Sequence, residues 1–299
     1  MSLRTRKKAL LYIISFILVF FALFPIVTTF IGSILTETEL RTLPEETNWF
    51  SHGITFYYYY YIFFDGEFTS NPDIRYTLRS LVILNILYLP RIMLNSFIVA
   101  LAVSLINISI GTIAAYSFAR MTFRGSSPFF VFVLLSRLIP PVALAVPYYV
   151  ICFKLGISNT LLSVILIHSV ITLPFGIWYL TLYFRTIPVD LEESAMVDGC
   201  SMFQAMRRIS LPIALSGLVA VSLFSFVLSY NEFMFAQFVL EKIEVQTLPV
   251  FLASLSTSTD VYWATQYTVL TLSIIPAVIF IGLIWRYIKI SELAGALKY

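Results

Sequence analysis

Six long apolar runs govern what this chain can become. They cover roughly residues 10–34, 92–118, 128–152, 161–184, 213–235 and 264–286. Each supplies the approximately 20 mostly apolar residues that a helix needs to cross the hydrocarbon of a bilayer. In that medium every backbone N–H and C=O must be satisfied, which favours helices. Charged residues make up 12% of the 299, about half the share usual in soluble domains. The expected fold is an all-α membrane protein with six transmembrane helices. The uncharged stretch from Ala9 to Thr36 is too long for a signal-peptide core, so it is read as an uncleaved first span.

An even number of spans puts both termini on one side. Lysine and arginine favour the cytoplasmic side. With the N-terminus inside, the inner segments carry Arg4, Arg6, Lys7, Lys8, Arg120, Arg124, Arg185, Arg207, Arg208, Arg286, Lys289 and Lys298. The outer ones carry half as many, Arg41, Arg75, Arg79, Arg91, Lys154 and Lys242. Both termini are therefore expected in the cytoplasm. The expected division is a cytoplasmic N-terminus over 1–9 and a single transmembrane domain over 10–299. That domain includes an external segment 36–91, a cytoplasmic loop 185–212 and a cytoplasmic tail 287–299. The external segment holds Tyr57 to Tyr61 in succession, rings suited to the headgroup region. Within it, Ser80 to Pro90 reads as an interfacial helix leading into the second span.

The loop 185–212 is the polar interruption that needs most explanation. Pro188 stops the fourth helical pattern, and Asp190 with Glu193 three residues on approaches a capping box. A short helix over 190–198 is expected, ended by Gly199 in a left-handed conformation. Ser201 and Gln204 form a second capping pattern, opening a helix of about 202–210 that Leu211-Pro212 closes. Leu191 with Ala195, Phe203 with Met206 and Met202 with Ile209 fall at helical spacing. Helices this short are marginal alone and need a surface to dock on. Ser194 and Ala195 keep one side thin enough for close approach.

The residues Glu193-Ser194-Ala195, then Asp198-Gly199, then Ile209-Ser210-Leu211-Pro212 resemble the coupling-loop signature of sugar-type permeases of ATP-binding-cassette importers, the maltose/trehalose-like branch. Ser194 stands for the first alanine of that signature and Cys200 for a usual alanine. Further matches follow in the family's order. They include Asn95-Ser96, Tyr116 to Arg120, Arg137-Leu138-Ile139-Pro140-Pro141, Leu173-Pro174-Phe175, Tyr230-Asn231-Glu232-Phe233, Thr247-Leu248-Pro249-Val250 and Ala294 to Lys298. Tyr230 replaces the family's tryptophan. The resemblance covers most of the chain beyond its first 80 residues or so.

The resemblance implies the type I importer permease fold in the plasma membrane of a prokaryote. It implies a second, non-identical permease subunit, an ATPase dimer and an extracytoplasmic solute-binding protein as partners. The loop residues Glu192, Glu193, Ser194, Ala195, Asp198, Gly199, Phe203, Leu211 and Pro212 would engage the ATPase, with a tail contact from Gly295 and Lys298. The chain would carry a mono- or oligosaccharide such as maltose or trehalose. The same architecture also carries glycerol phosphate, peptides, amino acids or polyamines.

No phosphate-binding loop of the form G-x-x-x-x-G-K-[ST] is present, so ATP and magnesium would be used by the separate ATPase and no cofactor is expected here. His52, His168, Cys152 and Cys200 have no partners at metal-ligand spacing, and no metal or catalytic residues are expected. A membrane enzyme would need convergent nucleophile, base or metal ligands within the spans. An ion-coupled carrier would need intramembrane carboxylates. Arg137 inside the third run must pair, face water or lie near an interface. Glu232 or a backbone carbonyl is its expected partner if it anchors structure. Asn95, Arg137, Asn231 and Glu232 are the candidate path or gate residues. His168 reads as a hydrogen-bonded packing residue.

Overall fold

The computed structural model describes residues 3–42, 50–51, 53–64, 85–256 and 262–296. Among them all regular structure is helical. Helix α1 (Leu3–Ser33) precedes the short α2 (Glu37–Arg41) and α3 (Tyr57–Phe63). There follow α4 (Leu89–Arg120), α5 (Ser126–Leu135), α6 (Pro141–Lys154) and α7 (Leu161–Thr186). The polar loop contains α8 (Asp190–Val197) and α9 (Met202–Ala205), the latter continuing through a π-turn, Met206–Ser210, into α10 (Leu211–Ile213). Last come α11 (Leu215–Tyr230), α12 (Met234–Val239), α13 (Leu248–Ser256) and α14 (Trp263–Ala296).

Among the described residues, four helices are long and apolar enough to cross a membrane: α1 over Leu10–Ser33, α4, α7, and α14 over Trp263–Ile284. Two bent pairs bring the number to 6 if each is one span. The third and fifth expected spans therefore need correction, because neither is one straight helix. The third bends by 93° between Ser126–Leu138 and Pro141–Lys154. Two successive prolines are the cause. A residue before proline is pushed out of the α region, and Ile139 and Pro140 have ψ of 124° and 126°. The fifth bends by 76° between Met202–Ile213 and Leu215–Tyr230. Here Pro212 cannot donate to the carbonyl of Arg208. The N–H of Leu211 instead reaches back to Met206, which opens the π-turn. The fifth span also ends at Tyr230, not 235. A break at Asn231 to Phe233 separates it from α12.

The chain forms two compact units. The first, Met1–Pro90 with Leu252–Ile275, is held by α1 against the start of α14. Gly32 permits this approach, since a Cβ there would stand 2.6 Å from the Tyr267 ring. The Glu37 carboxylate accepts the N–H groups of Trp263 and Ala264 at 3.2 and 2.9 Å, capping the otherwise unsatisfied start of α14. Of the consecutive tyrosines, Tyr59 bonds Ser33, and burial pushes the Tyr57 phenol up to about 12, so it stays neutral. Gly32→Leu is expected to destabilise this unit by about 1–3 kcal/mol through overpacking, read as a lowered thermal midpoint of the purified protein. An unchanged midpoint would contradict the close packing.

The second unit, Arg91–Phe251 with Pro276–Tyr299, contains the polar loop. Its core includes a small cluster of Ala145, Ile167 and Phe235 and two larger ones. Val99, Val103, Cys152, Val164, Val239 and Val250 pack together in one. Tyr116, Leu180, Phe184, Met206 and Val221 form the other, beneath the loop. Residues 80–84 of the expected interfacial helix lie outside the described residues, as do His52 and Lys298. Helix α14 runs unbroken through the expected tail boundary and includes Gly295.

Candidate functional site

The loop between α7 and α11 is built as expected in outline and differs in its start. Asp190 is not the N-cap: Val189 is, without a side-chain bond, and Asp190 lies in the first turn beside Glu192 and Glu193. These carboxylates still favour the helix, because they face its positive N-terminal end. Gly199 does end α8, at φ +90°. The N–H of Gly199 donates to Met196 and that of Cys200 to Ala195, the paired bonds of a Schellman motif. Ser201 and Gln204 form the expected capping box.

Sequence reasoning placed Glu192 and Glu193 together. The structure turns them in opposite directions. Glu193 is exposed, whereas Glu192 is 3% exposed and points back at the spans. Arg120 Nε, at the end of α4, donates to both its oxygens at 3.0 Å. Tyr116 Oη donates to it at 2.8 Å and Ser210 Oγ at 2.6 Å. The Arg120 guanidinium also donates to the Ile187 carbonyl at 2.8 Å. Glu192 thus ties three places together: the end of α4, the start of the loop and its exit at the π-turn. The available signal was an arginine ending a span with a tyrosine four residues earlier, on the same helical face.

Apolar side chains of the loop divide likewise. Met202, Met206 and Leu211 pack on α4 and α7. Leu191 and Met196 are each 41% exposed, Phe203 62% and Val197 88%. With exposed Glu193, Ser194 and Asp198 they leave apolar and polar side chains open around α8 and the start of α9, on a firmly anchored base. Ser194 Oγ folds back onto the Asp190 carbonyl, which keeps that side of α8 thin. Pro212 shapes the π-turn.

The four candidate path residues do not form one cluster. Asn95 donates to the carbonyls of Glu244 and Gln246 at 3.0 and 3.1 Å, and neighbouring Ser96 accepts from the N–H of Leu248. The pair staples the start of α4 to the segment before α13. Asn231 is exposed and donates to the Val227 carbonyl. Arg137 does not pair with Glu232. It donates to the Ile171 carbonyl at 3.0 Å. Glu232 instead pairs with His168 Nε2 at 2.8 Å and accepts the N–H groups of Phe235 and Ala236, capping α12. The other ring nitrogen of His168 meets Ser229. Farther along α7 and α11, Asn107 donates to Thr172 and Ser225. These bonds make a buried polar seam between α4, α7 and α11, where unsatisfied groups would be costly.

Comparison with known proteins gives consistent matches. The family described as "Binding-protein-dependent transport system inner membrane component" matches residues 107–289. The chain is 33% identical over 208 residues, 68% of its length, to the inner membrane ABC transporter permease protein YcjP of Escherichia coli (strain K12), covering 73% of that protein. It is 34% identical over 213 residues to the trehalose/maltose transport system permease protein MalG of Thermococcus litoralis, covering 71% of this chain and 77% of that one. Its fold superposes on a chain from the crystal structure of a bacterial ABC transporter involved in the import of the acidic polysaccharide alginate. The TM-score is 0.69 at 19% identity, with 96% of this chain and 98% of that chain covered.

Proposed function

This chain belongs to the family of binding-protein-dependent transport system inner membrane components, and we propose that it forms half of the path by which an ATP-driven importer takes up a saccharide. It is an importer permease subunit. The partners we assign are a second permease subunit, a pair of ATPases and an external binding protein that delivers the solute. The proposed orientation puts both termini and the loop 185–212 in the cytoplasm. The saccharide class rests on the sugars for which several relatives are named, and those relatives differ in their solutes. Maltose and trehalose are members of that class with no special claim.

The observation that carries the reading is the anchored loop. A charge cluster buried at its base holds the exposed side of α8 and α9 at a set position relative to the ends of α4 and α11. Any force applied to that side is transmitted to those helices. We infer that the ATPase grips Leu191, Met196, Val197 and Phe203 and that its closure moves the spans. ATP is bound and hydrolysed on the ATPase, with its magnesium.

Cross-linking tests this assignment. In a Cys200→Ser background, cysteine placed at Val197 or Phe203 is expected to cross-link to the ATPase in the reconstituted complex. Absence of cross-links at both sites, in a complex that hydrolyses ATP and takes up solute, would remove the docking assignment. Uptake assays with a saccharide panel against glycerol phosphate, peptides, amino acids and polyamines test the solute class.

A further inference from the structure

A second site lies away from the loop, where the bend between α5 and α6 meets α7. Helix α5 turns into α6 at Ile139-Pro140, and α7 carries Pro174 within its length. Pro174 has no N–H for the carbonyl of Val170, and its ring crowds that turn. The adjacent Ile171 carbonyl accepts from Arg137 Nη1 at 3.0 Å. Between that bend and α7 is a cavity of about 270 Å³, lined by Arg137, Ile139 and Pro141 of the bend, Ile171 and Pro174 of α7, and Phe235 of α12.

Arg137 is the charged group on these walls. A guanidinium offers five N–H donors. Among the described residues Arg137 makes that one hydrogen bond and no ion pair. Glu232, the carboxylate that follows the fifth span, is committed to His168 and two backbone N–H groups. Arg137 is itself exposed, so its remaining donors are open to a group from outside the chain. The planar fork of arginine matches a carboxylate in two parallel bonds.

We propose that this cavity is a solute subsite that receives the carboxylate of an acidic saccharide, with Arg137 as its anchor. The inference rests on the saccharide-import reading and adds a charge to it. At about 270 Å³ the cavity falls just under the usual range of ligand pockets, so it has room for one sugar ring at most and leaves the rest of an oligosaccharide outside. Recognition is then shared by this subunit and not left wholly to its sister.

The test uses the complete importer in proteoliposomes: this chain, the second permease, the ATPase pair and the binding protein. The probes are a uronic-acid disaccharide and its neutral counterpart with a hydroxymethyl group in place of the carboxylate. In the unmodified importer the acidic probe is expected to enter. Arg137→Gln is expected to lower the acidic-to-neutral uptake ratio by about tenfold or more, the value of one charge-assisted pair. Arg137→Lys should restore part of the ratio. Recovery of the assembled complex and its ATPase rate report whether the variants fold. Equal loss for both probes, or no change for either, overturns the subsite. A loss that depends on anionic lipid in the vesicle and not on the probe assigns Arg137 to a lipid phosphate and also overturns it. Neutral uptake without acidic uptake in the unmodified importer sinks the subsite and leaves the import reading standing. Uptake of neither, with peptide or amino acid transported instead, sinks both.

Discussion

Glu192→Ala is expected to abolish ATP-driven uptake and to destabilise the seating of the loop by about 3–5 kcal/mol, the usual cost of breaking a buried ion pair on one side. Arg120 and Glu192 have side-chain exposures of 6% and 4%. Removing the carboxylate would leave a guanidinium buried without a counter-charge, and would also strip Tyr116 and Ser210 of their acceptor. The measurements are uptake in proteoliposomes and the thermal midpoint of the detergent-solubilised complex. A double variant gives the mechanism. Arg120→Met with Glu192→Leu removes both charges, so it should be less destabilised than Glu192→Ala. If the double variant is as unstable as the sum of its parts, the pair is not acting as a unit. Glu193→Ala, on the exposed side, should leave the thermal midpoint within about 0.5 kcal/mol of the parent while impairing ATPase docking. Equal destabilisation by the two alanines would contradict the opposed orientation of these neighbours.

Gly199→Pro should uncouple the transporter while leaving the spans folded. Gly199 has φ +90°, and proline is held near −65°. The change also removes the N–H that bonds Met196. The combined cost is about 3 kcal/mol or more, concentrated at the joint between α8 and α9. No heavy atom lies within 4 Å of where a Cβ would stand, so the effect is one of backbone and not of collision. Helix α8 would stay anchored through Glu192, but the direction in which α9 leaves would change. Expression, insertion and recovery of the complex should persist. Uptake should fall at least about tenfold, equivalent to about 1.4 kcal/mol of lost coupling. Gly199→Asn is the informative companion, since asparagine tolerates the left-handed region and should retain much of the transport. Full uptake by Gly199→Pro would end the docking argument.

The helical spans were legible because a bilayer imposes one length scale and one backbone solution. Gly199 and the Ser201–Gln204 box were legible because each acts over a few residues. Val189 displaced Asp190 as the cap because a helix start is set by backbone direction as it leaves Pro188, beyond what side-chain preference records. Prolines 140, 141 and 212 mark in the sequence where helical regularity fails, but not how far the chain bends there. Hydropathy counts residues and is blind to which carbonyl a missing proline N–H leaves open.

Pairing is where local reasoning ended. Arg137, Glu232 and His168 were each marked as polar groups in apolar surroundings, but His168 took Glu232 and Arg137 took the Ile171 carbonyl, three residues before Pro174. Glu192 and Glu193 are neighbours in sequence, and a helix sets successive side chains about 100° apart, so one must leave the face the other occupies. From the sequence by itself came the membrane class, the helical spans, the loop with its glycine joint and the family resemblance. Tertiary structure alone decided which glutamate faces Arg120 and which arginine is left with a spare set of donors. Those outcomes depend on contacts between residues far apart in the chain, such as Tyr116 with Glu192 and Arg137 with Ile171, which no local periodicity encodes.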